Sequence, residues 1–387
     1  MTDQMTTAHD VLHETTERVR RDYGGAIGRH RSEVVTPALI LDLPAARRNI
    51  ATMAERLLTM PAKIRPHIKV HKSPELSRLQ VDAGAIGLSV ATVWEAIVLV
   101  DSGLDHIFVV NTVAGPDKIR ALAELARRAD VMVAVDDPAN AGSLSEAAQA
   151  AGAQLGVFIE VDTGMDRCGV DTPDEALALA RHLAKLPGLR FMGLTGYEGH
   201  CSLTPETDLR HTRQRAAVAM LADIRDLIVA DGISCPILSA GGTATWEWTA
   251  ADPRISEIQA GSYVTMDVFH GSMVGGFEHS VHVATSVISR RPDRVVLDAG
   301  NKSIGAPGLA RIVGHDLVNH RFDEEHGIFV ATESTPLRVG DVVELVPGYA
   351  PSTINWYDAF HVVEDDVVVD IWPVIPRGPG HHGLIVG

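Results

Sequence analysis

A lysine at the predicted end of a strand is the first feature of this sequence that could perform chemistry. The stretch from Ile64 to Lys72 begins as an apolar strand-like run and ends in two histidines and two lysines. α/β barrels keep their catalytic groups at the carboxyl ends of their strands. Lys69 is therefore the candidate nucleophile toward an aldehyde, provided that burial or the cations around it lower the pKa of its amine. A solvated basic loop is the alternative, and Lys72 is predicted to start the next helix.

Two later strand ends carry further candidates. Arg167 lies in the turn 162–169, where its guanidinium could bind an oxygen anion such as a phenolate. His200 follows the next strand, in the run Gly196-Tyr197-Glu198-Gly199-His200-Cys201, and is a candidate acid or base because histidine titrates near neutral pH. A surface arginine and a structural histidine are the alternative interpretations.

Glycine-rich turns follow the last two predicted strands of the repeating region. They are Ser239-Ala240-Gly241-Gly242-Thr243 and Gln259-Ala260-Gly261-Ser262-Tyr263. Barrels often bind a phosphate there with backbone N–H groups, so the pair predicts a phosphorylated ligand. A lysine on one lip and a phosphate cradle on the other suggest pyridoxal phosphate, which accepts the electron pair of a carbanion at an amino acid Cα.

These residues require a fold that brings strand ends together. Amphipathic helices alternate with strands predicted at 64–69, 86–90, 106–110, 131–135, 155–161, 190–196, 236–240 and 256–260. This alternation predicts an α/β fold with a TIM-like (β/α)₈ barrel. Residues 270–387 lose the helical period and predict a C-terminal, mostly antiparallel β domain. We predict a helical lead-in over 1–35, a barrel over 36–269 and the β domain after it, with strand 38–42 a candidate for either sheet.

Composition limits the classes of function. The chain has 387 residues, a net charge of −16 and three cysteines without disulfide-like spacing. No basic stripe is present for a nucleic acid, and no apolar run reaches the ~18–20 residues that cross a bilayer. We therefore expect a cytoplasmic protein that binds a small molecule and neither nucleic acid nor membrane.

Taken together, the motifs resemble those of a known family. Thr36-Pro37, Arg65-Pro66-His67-x-Lys69-x-His71-Lys72, the 162–169 turn and both glycine-rich turns are similar to fold-type III pyridoxal-phosphate enzymes of the D-threonine aldolase / D-serine dehydratase family. The resemblance implies that Lys69 links the cofactor's aldehyde, that Arg167 lies near the pyridine hydroxyl, and that Gln259 faces the ring nitrogen. It also implies a homodimer. The expected cofactor contacts are Lys69, His67, Arg167, Tyr197, Ser239, Gly241, Gly242, Thr243, Gln259, Gly261, Ser262 and Tyr263.

One motif departs from the family. Members that act on β-hydroxy amino acids usually bind a divalent metal through His-x-Cys or His-x-Asp in the β domain, and Tyr349 and Pro351 stand at those positions. Proline cannot coordinate and a neutral tyrosine is a poor ligand, so we predict no metal there. His381-His382 near the C-terminus is an alternative pair of ligands.

The sequence thus predicts a pyridoxal-phosphate lyase for a D-β-hydroxy-α-amino acid, acting by retro-aldol cleavage or β-elimination. Lys69, His200 and Tyr349 are the candidate catalytic residues, and His200 or Tyr349 would handle the proton of the β-oxygen. A racemase that uses Lys69 and Tyr349 as its two bases is one alternative. A non-catalytic carrier of the cofactor is another, against which the second domain counts.

Overall fold

The computed structural model describes residues 8–379, and within them two β-sheets share one continuous chain. The first elements are helix α1 (Ala8–Tyr23), strand β1 (Ala38–Asp42) and helix α2 (Leu43–Leu57). Helix α2 begins because the Asp42 carboxylate accepts the Ala45 N–H at 2.9 Å and a proline follows at its first turn. No helix in residues 8–379 is long and apolar enough to cross a membrane.

Eight parallel strands form the barrel. They are β2 (Lys63–Ile64), β3 (Leu88–Val90), β4 (Ile107–Thr112), β5 (Val131–Val135), β6 (Leu155–Glu160), β7 (Leu189–Gly196), β8 (Ile237–Ala240) and β9 (Glu257–Ile258). Their order is β2-β9-β8-β7-β6-β5-β4-β3, and a single bridge between His67 and Ser89 joins the two ends. The predicted TIM-like barrel is confirmed.

Helices cover the outside of the barrel. They are α3 (Pro74–Asp82), α4 (Val93–Asp101), α5 (Pro116–Leu125), α6 (Pro138–Ala151), α7 (Pro173–Leu183), α8 (Thr207–Ala230) and α9 (Trp246–Ala251). Three of the seven, α3, α6 and α7, begin at a Ser, Thr or Asp cap followed by proline, a favourable start for a helix. Inside the barrel, the Phe108 and Phe158 rings stack at 4.4 Å with Met132 beside them, so the interior is a packed core and the chemistry is confined to its rim.

The predicted first barrel strand, 64–69, is wrong in its length. Strand β2 ends at Ile64, and Lys69 lies in a 3₁₀ turn, Ile68–Val70. Pro66 has no N–H to continue the ladder, and the His67 ring accepts the Lys69 N–H at 3.4 Å, which bends the backbone inward. Lys69 is therefore presented by a turn above the strand.

The second sheet is mostly antiparallel, as predicted, and β1 lies in it. Its other strands are β10 (Val281–Arg291), β11 (Arg294–Leu297), β12 (Arg311–Ile312), β13 (Asn319–Phe322), β14 (Gly327–Val330), β15 (Val342–Val346), β16 (Ala359–Glu364) and β17 (Val367–Pro373). Strand β1 pairs antiparallel with β10 and parallel with β16, so it is an interior strand.

Two short helices near this sheet were not predicted. They are α10 (Val268–Gly271) and α11 (Ala350–Asn355), which are too short to produce a helical period in the sequence. The Asp267 carboxylate caps α10 and also accepts the Ala350 N–H at 2.9 Å, so the same side chain fixes the starts of both helices. Tyr349 lies directly before α11 and is thereby brought to the rim of the barrel.

Candidate active site

A cavity opens at the carboxyl ends of the barrel strands, where the second sheet approaches. Eleven of the residues selected from the sequence line it: His67, Lys69, Arg167, Tyr197, Gly241, Gly242, Thr243, Gln259, Gly261, Ser262 and Tyr349. Its mixture of glycine, aromatic and charged groups is typical of a site for a small polar molecule.

Lys69 is half-buried in the wall of this cavity. Its Nζ lies 5.5 Å from the centroid of the Tyr197 ring. Burial, assisted by the Arg167 guanidinium, lowers the pKa of Lys69 to about 8, although Glu95 opposes the shift. A considerable fraction of the side chain is therefore the free, nucleophilic amine near neutral pH.

The other cations of the opening motif point elsewhere. Arg65 pairs with the buried Glu257 at 3.0 Å, and Lys72 donates to Glu95 at 2.7 Å and to the Pro376 carbonyl. Arg65, His67, His71 and Lys72 were the groups expected to supply some of the field that lowers the pKa of Lys69, whereas the cation that lowers it is Arg167. Lys72 is held in an ion pair, so Lys69 is the lysine that remains for chemistry.

The glycine-rich turns form a cradle in the wall of the same cavity, and Gly261 packs against the turn that carries Lys69. A Cβ on Gly261 would approach the His67 carbonyl oxygen to 2.4 Å, and one on Gly242 would meet the Tyr197 ring at 3.0 Å. The Thr243 hydroxyl is buried without a hydrogen-bond partner among the described residues. A buried hydroxyl that lacks a partner costs free energy, so it is the type of group that a bound anion would satisfy.

Glu198 holds this cradle in shape, a role that the sequence reasoning missed. Its carboxylate accepts the Gly241 N–H at 3.1 Å and the Thr245 hydroxyl at 2.6 Å. Glu198 stands next to Tyr197 in the motif after β7. The sequence signal that could have identified it is an acidic residue within a glycine-containing motif at the end of a strand.

The Arg167 turn is fixed by its own first residue. The Asp162 carboxylate accepts the N–H groups of Gly164, Met165 and Arg167, and these bonds lower the pKa of Asp162 even though burial opposes them. The Arg167 guanidinium lies 3.4 Å from Glu160 and 5.8 Å from the Tyr197 ring. Burial, assisted by the nearby Asp136 and Asp162 and opposed by Arg167, raises the pKa of Glu160. One of the Glu160 carboxylate oxygens has no hydrogen-bond partner among the described residues.

Gln259 reaches the cavity at the end of a buried polar chain. Its amide nitrogen donates to Thr195 at 3.0 Å and to Ser239 at 2.7 Å, and Ser239 donates to Glu257. Ser239 therefore lies behind Gln259 and does not line the cavity. Ser239 was predicted to contact the ligand, but it contacts Gln259, which lines the cavity.

Tyr263 and His200 also lie outside the cavity lining. The Tyr263 hydroxyl accepts from Gln80 at 2.9 Å in the barrel wall, and the residue is fully buried there. The His200 ring packs over Gly164, with its Nδ1 buried and lacking a partner among the described residues. His200 is therefore not among the residues that line the cavity with Lys69, and its catalytic role stays a prediction.

A histidine that the sequence reasoning missed does line the cavity. His270, in α10, lies beside Tyr349 with nearly parallel rings 5.9 Å apart. Its Nδ1 is 2.8 Å from the buried Asp267 carboxylate. An Asp-x-x-His spacing marks this pair in the sequence, but nothing in the linear order connects it to Tyr349.

Comparisons with known proteins agree with this geometry. Residues 41–268 match the alanine racemase N-terminal domain and residues 280–363 match the putative serine dehydratase domain. The chain is 38% identical over 355 residues to D-threonine aldolase of Arthrobacter sp., covering 90% of this chain and 94% of that protein. The chain belongs to the alanine racemase-like family of D-threonine aldolases and D-serine dehydratases, hereafter the aldolase–dehydratase family.

Other members of the aldolase–dehydratase family are similar over almost their whole length. The 3-hydroxy-D-aspartate aldolase of Paracoccus denitrificans (strain Pd 1222) is 35% identical, with 92% of this chain and 95% of that protein covered. The crystal structure of D-threonine aldolase from Filomicrobium marinum superposes with a TM-score of 0.88 at 35% identity, covering 91% and 98%. D-threo-3-hydroxyaspartate dehydratase from Delftia sp. HT23 superposes with a TM-score of 0.80 at 26% identity, covering 90% and 99%.

The aldolase–dehydratase family uses pyridoxal phosphate, and the residues of this cavity fit that group. Lys69 provides an amine for its aldehyde, and the unpartnered Thr243 hydroxyl and the glycine backbone at Gly242 and Gly261, which lines the cavity, suit its phosphate. Arg167 is placed to meet an oxygen anion on its ring.

The family's metal position is different in this chain. Tyr349 and Pro351 both line the cavity. Residues 8–379 contain no cluster of three or more His, Cys, Asp or Glu side chains that could hold a metal ion. The alternative ligands His381-His382 lie outside the described residues.

Proposed function

We propose that this protein is a pyridoxal-phosphate lyase that breaks a bond at Cβ of a D-β-hydroxy-α-amino acid without a divalent metal. The observation that carries the proposal is Lys69, whose amine has no ion-pair partner among residues 8–379, has a pKa of about 8 and lines the same cavity as the glycine-rich turns. Bound pyridoxal phosphate would accept the electron pair left on the substrate Cα. The similarity to enzymes named for D-threonine and 3-hydroxy-D-aspartate supports the substrate class.

The residues of the chain divide the work of binding and proton transfer. Lys69 would hold the cofactor and, once displaced by substrate, return a proton to Cα. Thr243 and Ser262 would bind the phosphate, and Arg167 would bind the ring oxygen. Gln259, neutral and held by Ser239, would face the ring nitrogen.

The state of Tyr349 argues against the racemase alternative. Burial, together with the nearby Tyr197 and Asp267, raises the pKa of Tyr349 to about 12. The phenol therefore keeps its proton at neutral pH, whereas a racemase needs a second base opposite Lys69. A protonated Tyr349 can donate a hydrogen bond to a substrate oxygen.

The proposal also covers the cellular compartment, the oligomeric state and the domain limits of the enzyme. We propose a cytoplasmic homodimer, in which a second copy completes the mouth of the cavity beside the partly exposed Tyr349. Cys168, Cys201 and Cys235 are unpaired, which suits a reducing compartment. We also propose domain limits near residues 35 and 269, with β1 contributed to the second domain.

The decisive experiment is product analysis in D₂O. D-threonine and D-serine should yield either glycine plus an aldehyde or a keto acid plus ammonia, with no release of the L-amino acid. D-alanine, which has no β-hydroxyl, should not be inverted. Deuterated L-alanine from D-alanine, with no cleavage of the hydroxy amino acids, would replace this proposal with the racemase.

Metal independence should be visible in a chelator experiment. Dialysis against EDTA should leave turnover of the active substrate within about twofold of its starting value, because tyrosine and proline do not replace His-x-Asp as metal ligands. The double variant Tyr349→His/Pro351→Asp recreates that pair and should bind Mn²⁺ or Zn²⁺. Activity of the unmodified protein that falls with EDTA and returns with Mn²⁺ would contradict the prediction.

A further inference from the structure

The pair Asp267–His270 is the most unusual group at the cavity. Asp267 is fully buried and His270 nearly so, yet His270 contributes to the cavity wall. One Asp267 oxygen lies 2.8 Å from His270 Nδ1 and accepts the His270 N–H at 2.7 Å, while the other accepts the Ala350 N–H. The carboxylate is thus fixed on both oxygens, and it fixes the imidazole in turn.

This arrangement determines which ring nitrogen is free. An ionised carboxylate only accepts hydrogen bonds, so the neutral His270 ring must carry its proton on Nδ1. Nε2 then keeps its lone pair and can take a proton. The Tyr349 ring lies nearly parallel to the imidazole and Phe269 packs edge-on at 5.2 Å, so the ring cannot turn freely.

We propose that His270 is the general base that removes the proton of the substrate's β-hydroxyl, and that Asp267 is its positioning residue. This inference rests on the proposed function and narrows it to retro-aldol cleavage. The place is the one next to Tyr349 and Pro351, where other members of the family bind a metal to the β-oxygen. An oriented imidazole can take the place of that metal in the ionisation of the hydroxyl. The metal stabilises the negative charge on the oxygen, whereas the imidazole accepts the proton.

The proton and electron balance of the step is closed. His270 Nε2 takes the hydroxyl proton, the O–H electron pair forms the second C–O bond of an aldehyde, and the Cα–Cβ bond breaks with its pair remaining on Cα. Lys69 supplies a proton to Cα to give glycine. The proton on His270 Nε2 then returns to solvent, and no oxidant or reductant is needed. Tyr349, which stays protonated, can donate a hydrogen bond to the same oxygen.

The test uses His270→Asn in the cofactor-loaded enzyme. The asparagine amide can still donate to Asp267, but it cannot accept a proton. With D-threonine as the probe, kcat should fall about 10³-fold while KM changes by less than about threefold. Exchange of the glycine Cα hydrogen in D₂O, which needs Lys69 but no β-oxygen, should remain within about threefold. His320→Ala, an exposed histidine of β13, is the matched control and should change neither rate.

A second readout does not depend on turnover. ¹⁵N NMR of the protein, assigned with His270→Asn, should show that the neutral form of the His270 ring carries its proton on Nδ1. Asp267→Asn should lose this tautomer preference and lower kcat more than it changes KM.

Three outcomes would overturn the role of His270. They are undiminished cleavage by His270→Asn, an equal loss of cleavage and glycine exchange, or a ring protonated at Nε2. If the unmodified enzyme cleaves D-threonine but His270→Asn cleaves it equally well, or the ring is protonated at Nε2, only the role of His270 is refuted. If it shows neither cleavage nor glycine exchange, the proposed function fails as well. Formation of a keto acid and ammonia would agree with the proposed lyase function but would contradict the retro-aldol step assigned to His270.

Discussion

Lys69→Ala should abolish turnover and remove the visible absorption that marks a covalently held cofactor. Lys69 is the nucleophilic amine of the cavity, and no other lysine among residues 8–379 lines it. Loss of a covalent nucleophile lowers kcat by about 10³-fold or more. The measurements are the visible spectrum after incubation with pyridoxal phosphate and the rate of D-threonine cleavage. Lys63→Ala, an exposed lysine in β2, is the matched control and should leave both unchanged.

The pH dependence of loading gives a sharper check on the same residue. Because the pKa of Lys69 is lowered to about 8, the free amine forms as the pH rises through that value. The loading rate of the cofactor-free protein should therefore increase with pH, with a midpoint near 8. Arg167→Gln removes a cation that lowers this pKa and should move the midpoint upward. A midpoint near that of an ordinary lysine in the unmodified protein would contradict the assigned environment.

Glu257→Ala should lower the free energy of unfolding by about 3–5 kcal/mol. Arg65 is buried against Glu257 at 3.0 Å, and removal of the carboxylate leaves an uncompensated guanidinium inside the barrel. The remaining Arg65 bond to the His106 carbonyl cannot replace a charge. Urea unfolding followed by circular dichroism measures the loss.

Two further variants test whether the loss of stability in Glu257→Ala comes from the unpaired buried charge of Arg65. Arg65→Met/Glu257→Leu replaces both charges with apolar groups and should recover most of the stability, since such replacements are often neutral. Asp117→Ala breaks the exposed Arg120–Asp117 pair and should cost less than about 1 kcal/mol. A Glu257→Ala variant no less stable than Asp117→Ala would show that the buried pair contributes little.

The sequence predicted the architecture well because strands and helices alternate at regular spacing. It could not predict that the first barrel strand ends at Ile64, because the turn at Ile68–Val70 depends on a bond between the His67 ring and the Lys69 backbone. The strand prediction still placed Lys69 at the rim. The error concerns how the lysine is presented, and its position relative to the cavity is unaffected.

The candidate site was less completely predicted. Motif residues such as Thr243 and Gly261 line the cavity, whereas Ser239 and Tyr263 lie one layer behind it. Period-2 patterns cannot separate these layers in strands of two to four residues. His270 was missed because it lies beside Tyr349 only in the folded chain, nearly eighty residues away in sequence, and α11 is too short to be predicted.

The interior position of β1 has a consequence for the order of folding. The strand is among the first elements to leave the ribosome, but its parallel neighbour β16 is among the last. Until β16 is made, one edge of β1 has no strand partner, and an open edge invites wrong pairing. The whole barrel is synthesised between these two strands. The second sheet is thus completed by one late event, and residues 270–387 alone cannot complete it because β1 is one of its interior strands.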